Sequence, residues 1–316
     1  MKNSQETFTI YMNDDFDGVS SAAVFLYFIN KKYPGKYKFK YELLIYKPGY
    51  EKWWKNKKLS NPCAVFDFRY HPGADWWFDH HETSFFDNKD KKHFQETKNK
   101  KKRWEADAKS ACGVVLRHLS QEFDLKFPKH IKEMTKLADL IDSFGYKTAK
   151  DSISFKNGAY ALSKSFLIYI TDSYGGHVAE LLSEKPIDEA VKDRQVSLSI
   201  KKTESLIMDS INEAKKNSEK IGKVVYLETK NPLTRHNILY FISPSSAYSV
   251  VMTKHNNYYH IGVGYNMWSK HENKKNIAEI LKKYGGGGHK GVGATEVGSR
   301  KEALQIVKNM VKILNK

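Results

Sequence analysis

The feature that most constrains this chain is a series of short apolar runs near its N-terminus that stop on aspartate. Residues 7–12 (TFTIYM) lead into the polar turn NDDFDG, the run Ala64 to Phe68 carries Asp67, and the run Ala74 to Phe78 ends directly on Asp79-His80-His81. Short runs rich in β-branched and aromatic residues read as buried strands. Val19 to Asn30 is apolar over a helical length, and Phe39 to Tyr46 reads as a further strand. Strands alternating with helices specify an α/β fold with a parallel sheet. In such sheets ligands gather beyond the carboxyl ends of the strands. Asp15, Asp17, Asp67 and Asp79 are therefore expected along one sheet edge.

The rest of the chain changes character. Residues 88–109 are dominated by lysine and read as an exposed loop or insertion. Ser110 suits an N-cap for a helix through Leu119, and Ile131 to Ile141 reads as another helix, with TKLADLID near its end. Residues 186–220 form a long, polar-rich helical pattern with apolar Val191, Val196, Ile200, Leu206 and Ile211. A second set of strands starts at Lys223, and Ala247 to Thr253 and Tyr258 to Tyr265 form a hairpin around Asn256-Asn257. Helix Asn276 to Tyr284 is stopped by Gly285–Gly288, a strand near Ala294 to Val297 follows, and helix Lys301 to Leu314 closes the chain. The expected organisation is a first domain over 1–185, a connecting helix over 186–220 and a smaller domain over 221–316.

Charge narrows the partners. Lys plus Arg number 53 against 36 Asp plus Glu, a net charge of +17 that attracts polyanions such as nucleic acids or nucleotides. A lysine-rich bias spread over solvated segments is the other account of the same charge. The longest apolar stretch, Ala22 to Ile29, is far shorter than the roughly 20 residues that a membrane helix needs. The polar start lacks the pattern of a secretory leader. Two cysteines, Cys63 and Cys112, without Cys-x-x-Cys spacing, argue against a disulfide scaffold. A soluble, reduced, cytoplasmic protein with no membrane partner is expected.

Asp15-Phe16-Asp17-Gly18 places two carboxylates where a strand turns into a helix. Hard oxygen ligands in pairs favour magnesium or manganese, and bridging carboxylates hold two ions about 4 Å apart. Alone, the segment would read more simply as an acidic turn with a capping side chain. An EF-hand is excluded, because from Asn13 the twelfth position is Val24 rather than Glu. Asp67 is the single acid of AVFDFRYHPG; Arg69 is expected at solvent and His71 in a local cap or pair. In Asp79-His80-His81, one imidazole suits a metal and the other a phosphate oxygen, provided that the backbone turns both to one side. Gly285–Gly288 with His289, Gly291 and Gly293 lets backbone N–H groups approach an anion closely. No Gly-Lys-Ser/Thr follows, so it is not a P-loop. The pairs Trp53-Trp54 and Trp76-Trp77 suit either base stacking or packing, with at least one of the second pair turned inward.

These residues resemble the DHH phosphoesterase family, named for its Asp-His-His triplet. The resemblance rests on Asp15-x-Asp17-Gly18-x-x-Ser21, Asp67, Asp79-His80-His81 and the segment GGGGHKGVG, in that order over residues 10–298. It implies a three-layer N-terminal domain with a parallel sheet, joined by a helical linker to a smaller α/β domain with a mixed sheet. It also implies a two-metal site, generally manganese with magnesium as the alternative, that activates water for attack on phosphorus. Asp15, Asp17, Asp67 and His80 would be metal ligands, with Asp67 the bridge. Asp139 would complete the set, with Asp142 in reserve. Asp79, His80 and His81 would carry the catalysis, and His81 would meet the substrate phosphate. Gly287, Gly288 and His289 would grip the distal end of the substrate.

Two departures from the family pattern bear on this. Tyr11 and Asn13 stand where relatives carry a metal-binding histidine, leaving Asn13 or His71 as substitutes. Relatives place an Arg-x-Ser before the glycine loop, where this chain has Tyr265-Asn266-Met267-Trp268-Ser269, so Arg235 or Asn266 would make the contact. The expected function is a manganese-dependent phosphoesterase acting on nucleotides or short single-stranded oligonucleotides. A non-catalytic nucleotide-binding protein and a RecJ-like single-strand exonuclease are the alternatives. A homodimer is an open alternative for its assembly.

Overall fold

The computed structural model describes residues 5–47, 49–272 and 274–316, with Tyr169 described by its backbone alone. In chain order the elements of the first half are β1 (Glu6–Asn13), α1 (Phe16–Lys32), β2 (Tyr37–Leu44), α2 (Tyr50–Asn56), β3 (Cys63–Phe66), β4 (Trp76–Asp79), α3 (Asn88–Thr97), β5 (Lys102–Trp104), α4 (Ala111–Glu122) and α5 (Lys129–Asp142). Then come α6 (Ala149–Ile153), α7 (Gly158–Tyr169), α8 (Asp172–Glu184), α9 (Ile187–Ala190) and α10 (Arg194–Asn217). The remainder comprises β6 (Glu219–Ile221), β7 (Val224–Thr229), α11 (His236–Ile242), β8 (Tyr248–Lys254), β9 (Tyr259–Tyr265), α12 (Ile277–Lys282), β10 (Gly287–Gly288), β11 (Val292–Val297) and α13 (Arg300–Asn315). The chain divides into two units, Met1–Gly145 with Lys156–Lys201, and Tyr146–Phe155 with Lys202–Lys316. Helix α10 runs from the first unit into the second. Among the described residues no helix is long and apolar enough to cross a membrane.

The first unit is built on a parallel sheet of strand order β2-β1-β3-β4-β5. Strand β1 is buried from Phe8 onward, whereas β2 at one edge alternates exposed lysines with inward aromatics, a pattern that blunts an edge. Because β2 and β3 lie on opposite sides of β1, the chain reverses direction across the sheet there. That switch point opens a crevice beyond the carboxyl ends of β1 and β3. Segment 88–109, expected as a loop, instead supplies α3 and the fifth strand: Trp77, Phe78 and Asp79 pair with Lys102, Arg103 and Trp104. Only three residues pair, too few for an alternating pattern to stand out among lysines.

Helix α1 is apolar around most of its circumference because the sheet lies on one side and α4, α5 and α8 on others. Phe25 shows the density: its ring lies 5.2 Å from both Phe66 and Trp76, and 5.6 Å from Phe8. Truncating such a side chain costs about 3–5 kcal/mol. The opposite face of the sheet carries a second core, with Tyr11, Trp54, Val65, Phe68 and Trp77. Both Trp76 and Trp77 are buried, since each face of β4 meets its own core. Gly18 lies in the first turn of α1, where a Cβ would run into the carbonyl oxygen of Asn13, so helix and strand end pack too closely for any side chain.

The second unit has a mixed sheet of order β10-β11-β9-β8-β7-β6, with β7 and β8 parallel and the remaining pairs antiparallel. The hairpin β8–β9 pairs Tyr248 with Tyr265 through Lys254 with Tyr259. One core packs β8 and β9 against α12 and α13; a smaller one joins Val225, Leu227 and Val251 to Ile238 and Leu239 of α11. Residues 146–155 belong here: Asn237 Nδ2 donates to Ser152 Oγ at 3.0 Å, and Trp268 Nε1 to the Tyr146 carbonyl at 2.8 Å.

Candidate metal centre

The turn after β1 aims its carboxylates by capping helices. Asp15 is the N-cap of α1, its Oδ1 accepting from the Gly18 amide at 2.9 Å. Asp17 points the other way, toward the start of α4, where its Oδ2 accepts from Ala111 N at 2.6 Å and its Oδ1 from Cys112 N at 2.9 Å. Unpaired amides at a helix N-terminus favour an anion. Asp17 is thus fixed although it is buried.

Asp67 follows β3 with φ of 55°, a left-handed conformation that an aspartate tolerates better than most residues and that occurs at functional turns. Its amide is tied to the Phe78 carbonyl at 2.9 Å. Its Oδ2 accepts from Asn13 Nδ2 at 3.1 Å, and the same amide group reaches Asp15 Oδ2 at 3.1 Å. Asn13 therefore stands inside the cluster as a donor linking two carboxylates. Tyr11 does not: it is buried in the second core, where its hydroxyl accepts from Ser60 N at 3.1 Å. Nor does His71, whose Nδ1 accepts from Gly73 N at 3.1 Å while its ring lies 5.1 Å from Trp54.

The backbone turns after β4, so His80 and His81 face the same side with ring centres 4.5 Å apart. His80 Nδ1 lies 3.0 Å from the Ala108 carbonyl, to which it can only donate. Its Nε2 then presents a lone pair to Asp17 Oδ2 at 3.6 Å, Asp67 Oδ1 at 3.5 Å and Asp142 Oδ2 at 3.4 Å. Burial, and then the neighbouring His81, lower the pKa of His80 and keep this imidazole neutral.

Asp79 plays a different part from the other acids. It is fully buried; its Oδ1 accepts from His80 N and from His81 Nδ1, each at 2.8 Å, and its Oδ2 accepts from Ser84 Oγ. Both oxygens are committed to holding the histidine turn. His81 thus has its Nδ1 committed, leaving Nε2 as the nitrogen for another partner. Burial opposes its charged form, but the hydrogen bond to Asp79 and the surrounding carboxylates outweigh this and raise its pKa. Arg69, expected at solvent, instead braces the loop beyond: it donates to the carbonyls of Thr83 and Phe85 and to the Tyr50 hydroxyl.

Asp139 is not in the cluster. Its Oδ1 accepts from Ser110 Oγ at 2.6 Å, beside the start of α4, and it lines an open cleft with Glu105 and Arg117. Asp142, one turn later at the end of α5, is the acid that reaches His80. The spacing within LADLID permits either acid, and the capping hydroxyl of Ser110 captures the first. Asn266 is likewise committed: it is buried, donates to the carbonyls of Pro244 and Ser246, and accepts from Trp268 N. Arg235 precedes α11, where desolvation by its surroundings lowers its pKa, while Gly287 and Gly288 form an exposed short strand against β11, followed by exposed His289. Ser84 was not legible as part of the site, and Asn13 only as a stand-in ligand rather than as a donor. Proximity to aspartates in sequence was the one hint for both.

Too much negative charge gathers here to stand alone. Asp17 and Asp67 are held well above the usual carboxylate range, first by burial and then by the neighbouring aspartates; Asp142 is pushed up to about 7 by burial and then by Asp15. Among the described residues, the buried atoms Asp67 Oδ1 and His80 Nε2 have no hydrogen-bond partner. Both are lone-pair acceptors pointed at each other, an arrangement that a cation between them resolves. Among the described residues two groupings are near enough to ligate: Asp17, His80 and Asp142, and Asp67, His80 and His81. The donor set of carboxylate oxygens with imidazole nitrogen fits a divalent ion such as manganese.

No family model matches the sequence, and no curated protein does. Solved structures do match. A pGpG-specific phosphodiesterase, PggH, from Vibrio cholerae superposes with a TM-score of 0.74 at 18% identity, covering 98% of this chain and 99% of that one. RecJ from Thermus thermophilus in complex with Mg2+ superposes at 0.54 and 11% identity, over 97% of this chain and 49% of RecJ. The same protein in complex with Mn2+ gives 0.53 and 12%, over 97% and 51%. At such identities the likeness establishes the fold.

Proposed function

We propose that this chain, which has the fold of the DHH phosphoesterases, is a metal-dependent phosphoesterase that hydrolyses phosphodiester or phosphomonoester bonds of nucleotides or short oligonucleotides. The observation that carries the proposal is the pair of partnerless buried acceptors, Asp67 Oδ1 and His80 Nε2, within a ring of carboxylates. Asp17, Asp67, His80 and Asp142 would hold the metal, with Asp15 steadied alongside through Asn13. Manganese suits the imidazole nitrogen better than magnesium does. A divalent ion bound here supplies positive charge for the phosphoryl oxygens and lowers the pKa of water.

The protein's own groups supply the rest. The Ala108 carbonyl fixes the His80 tautomer. Asp79 holds His81 by Nδ1, leaving Nε2 for another partner, and its raised pKa favours an imidazolium that donates to a phosphate oxygen. The net charge of +17 draws polyanionic substrates, which supports nucleotides and oligonucleotides as the class. The likeness to PggH supports a short linear dinucleotide as the first substrate to test. Arg235, Gly287, Gly288 and His289 would be substrate-binding residues of the second unit. Asn266 would act by holding the backbone that carries Trp268.

The test is a hydrolysis panel with Mn2+ or Mg2+: linear and cyclic dinucleotides, short RNA, single-stranded DNA, a nucleoside bisphosphate and pyrophosphate, with Asp67→Asn as control. Metal-dependent cleavage of a nucleotide, lost in Asp67→Asn, is expected. Binding without turnover of any member would leave a nucleotide-binding protein instead, and processive degradation of single-stranded DNA alone would favour the exonuclease.

A further inference from the structure

We propose that Tyr46 is a stacking platform for a nucleobase of the substrate, beside the metal centre and within the same unit. The inference rests on the function proposed above and adds a subsite to it.

Tyr46 lies just beyond β2, and 42% of its surface is exposed. Its ring rests on Phe68, with centres 4.4 Å apart and planes inclined by 33°, and meets the edge of Tyr50 at 5.0 Å. Phe68 is fully buried and is closed from within by Trp54, whose ring centre is 5.2 Å away. Tyr46 is therefore the outermost member of an aromatic stack whose inner members belong to the core. It also stands 6.4 Å from the His81 imidazole, ring centre to ring centre.

Single exposed aromatic rings are ordinary on protein surfaces. This one differs in place and in support. It is backed by a buried ring, it is partly exposed, and it adjoins the histidine that the proposed function directs at the phosphate. Trp53 provides the contrast: it is 40% exposed, but the Lys57 ammonium sits 4.9 Å from its ring centre and Trp54 lies 5.8 Å away. A base joined through its sugar to a phosphate at His81 would lie within reach of the exposed part of the Tyr46 ring. Every base has a π-face, so the platform selects for a nucleoside next to the scissile bond rather than for one sequence. Exposed Lys47, the next residue, adds charge for a flanking phosphate.

The experiment compares wild type, Tyr46→Phe and Tyr46→Ala in two measurements with Mn2+ present. One is binding of a linear dinucleotide carrying 2-aminopurine and a non-hydrolysable methylenephosphonate linkage, read by fluorescence quenching and independent of turnover. The other is KM and kcat for a linear dinucleotide and for its abasic counterpart. Tyr46→Ala is expected to weaken binding and raise KM for the base-containing substrate by roughly 5- to 100-fold, the range of base–aromatic stacking. It should leave the abasic compound and kcat unchanged, and Tyr46→Phe should behave as wild type. Equal binding by wild type and Tyr46→Ala overturns the inference, as does an equal loss in Tyr46→Phe, which would assign the effect to the hydroxyl. Failure of wild type to quench overturns it too. If wild type binds and quenches but cleaves nothing, the phosphoesterase proposal fails while the platform stands.

Discussion

His80 Nε2 and Asp67 Oδ1 face each other 3.5 Å apart, both buried and both without a hydrogen-bond donor between them. The carbonyl of Ala108 takes the proton on the other ring nitrogen, so neither group can relieve the other without charging the imidazole, which burial opposes. A bound cation is the simplest relief, and the predictions below follow from it.

Asp67→Asn should separate the two roles of this carboxylate. The amide can still accept from Asn13 while donating to His80 Nε2, and asparagine tolerates the left-handed backbone well. Without metal the variant should melt above wild type. With metal, wild type should gain about 2.7 kcal/mol at a hundredfold excess over Kd. That is roughly 5–10 °C if the first unit unfolds by itself and about 4 °C if the whole chain unfolds together, and the variant should gain almost none of it. Differential scanning fluorimetry with and without Mn2+ checks both halves.

The metal-free protein should lose stability as pH rises. A carboxyl whose folded pKa lies above its unfolded value stabilises the fold fully below the unfolded pKa, and that contribution is lost as pH passes the folded one. For Asp142 the window runs from 3.8 to about 7. Chelator-treated protein should therefore melt lower at pH 8 than at pH 6. Asp142→Asn should flatten the slope, and Mn2+ should reverse it because binding needs the ionised carboxylates.

Asp139→Ala and Asp142→Ala should behave differently despite their spacing. Asp142→Ala removes a group 3.4 Å from His80 and should weaken Mn2+ at least tenfold in isothermal titration. Asp139→Ala removes only the partner of the Ser110 hydroxyl and should cost about 1 kcal/mol of stability, with metal affinity kept.

His81→Ala should keep the metal-induced thermal shift yet lower kcat by roughly a hundredfold or more, the usual loss on removing a preorganised donor to a developing negative charge. Asp79→Asn should follow it in kcat, because the acceptor that fixes His81 Nδ1 is weakened. A steady-state kcat paired with a metal titration on each variant separates this from ligand loss.

The α/β architecture was legible because β1, β3 and β4 are short apolar runs that end on polar residues, with an apolar helix after the first. The last strand, Lys102–Trp104, escaped because three residues among lysines carry no period. The aspartates and the histidine pair announced themselves by type and by position at strand ends. Their assignments were less legible, since they depend on which backbone amide or hydroxyl reaches each oxygen first. Ser110 claims Asp139, Ser84 and the histidine turn claim Asp79, and Asn13 bridges Asp15 and Asp67. Helices over residues 149–184 were not legible either, because their apolar residues face several neighbours rather than one stripe.

The central claim is that a divalent ion belongs between His80 and Asp67, and anomalous diffraction from crystals grown with Mn2+ tests it most directly. The account predicts an anomalous peak about 2.0–2.2 Å from His80 Nε2 and within ligating distance of a carboxylate oxygen of Asp17, Asp67 or Asp142. Full-occupancy manganese elsewhere, with His80 Nε2 and Asp67 Oδ1 still facing each other without an ion, would contradict it.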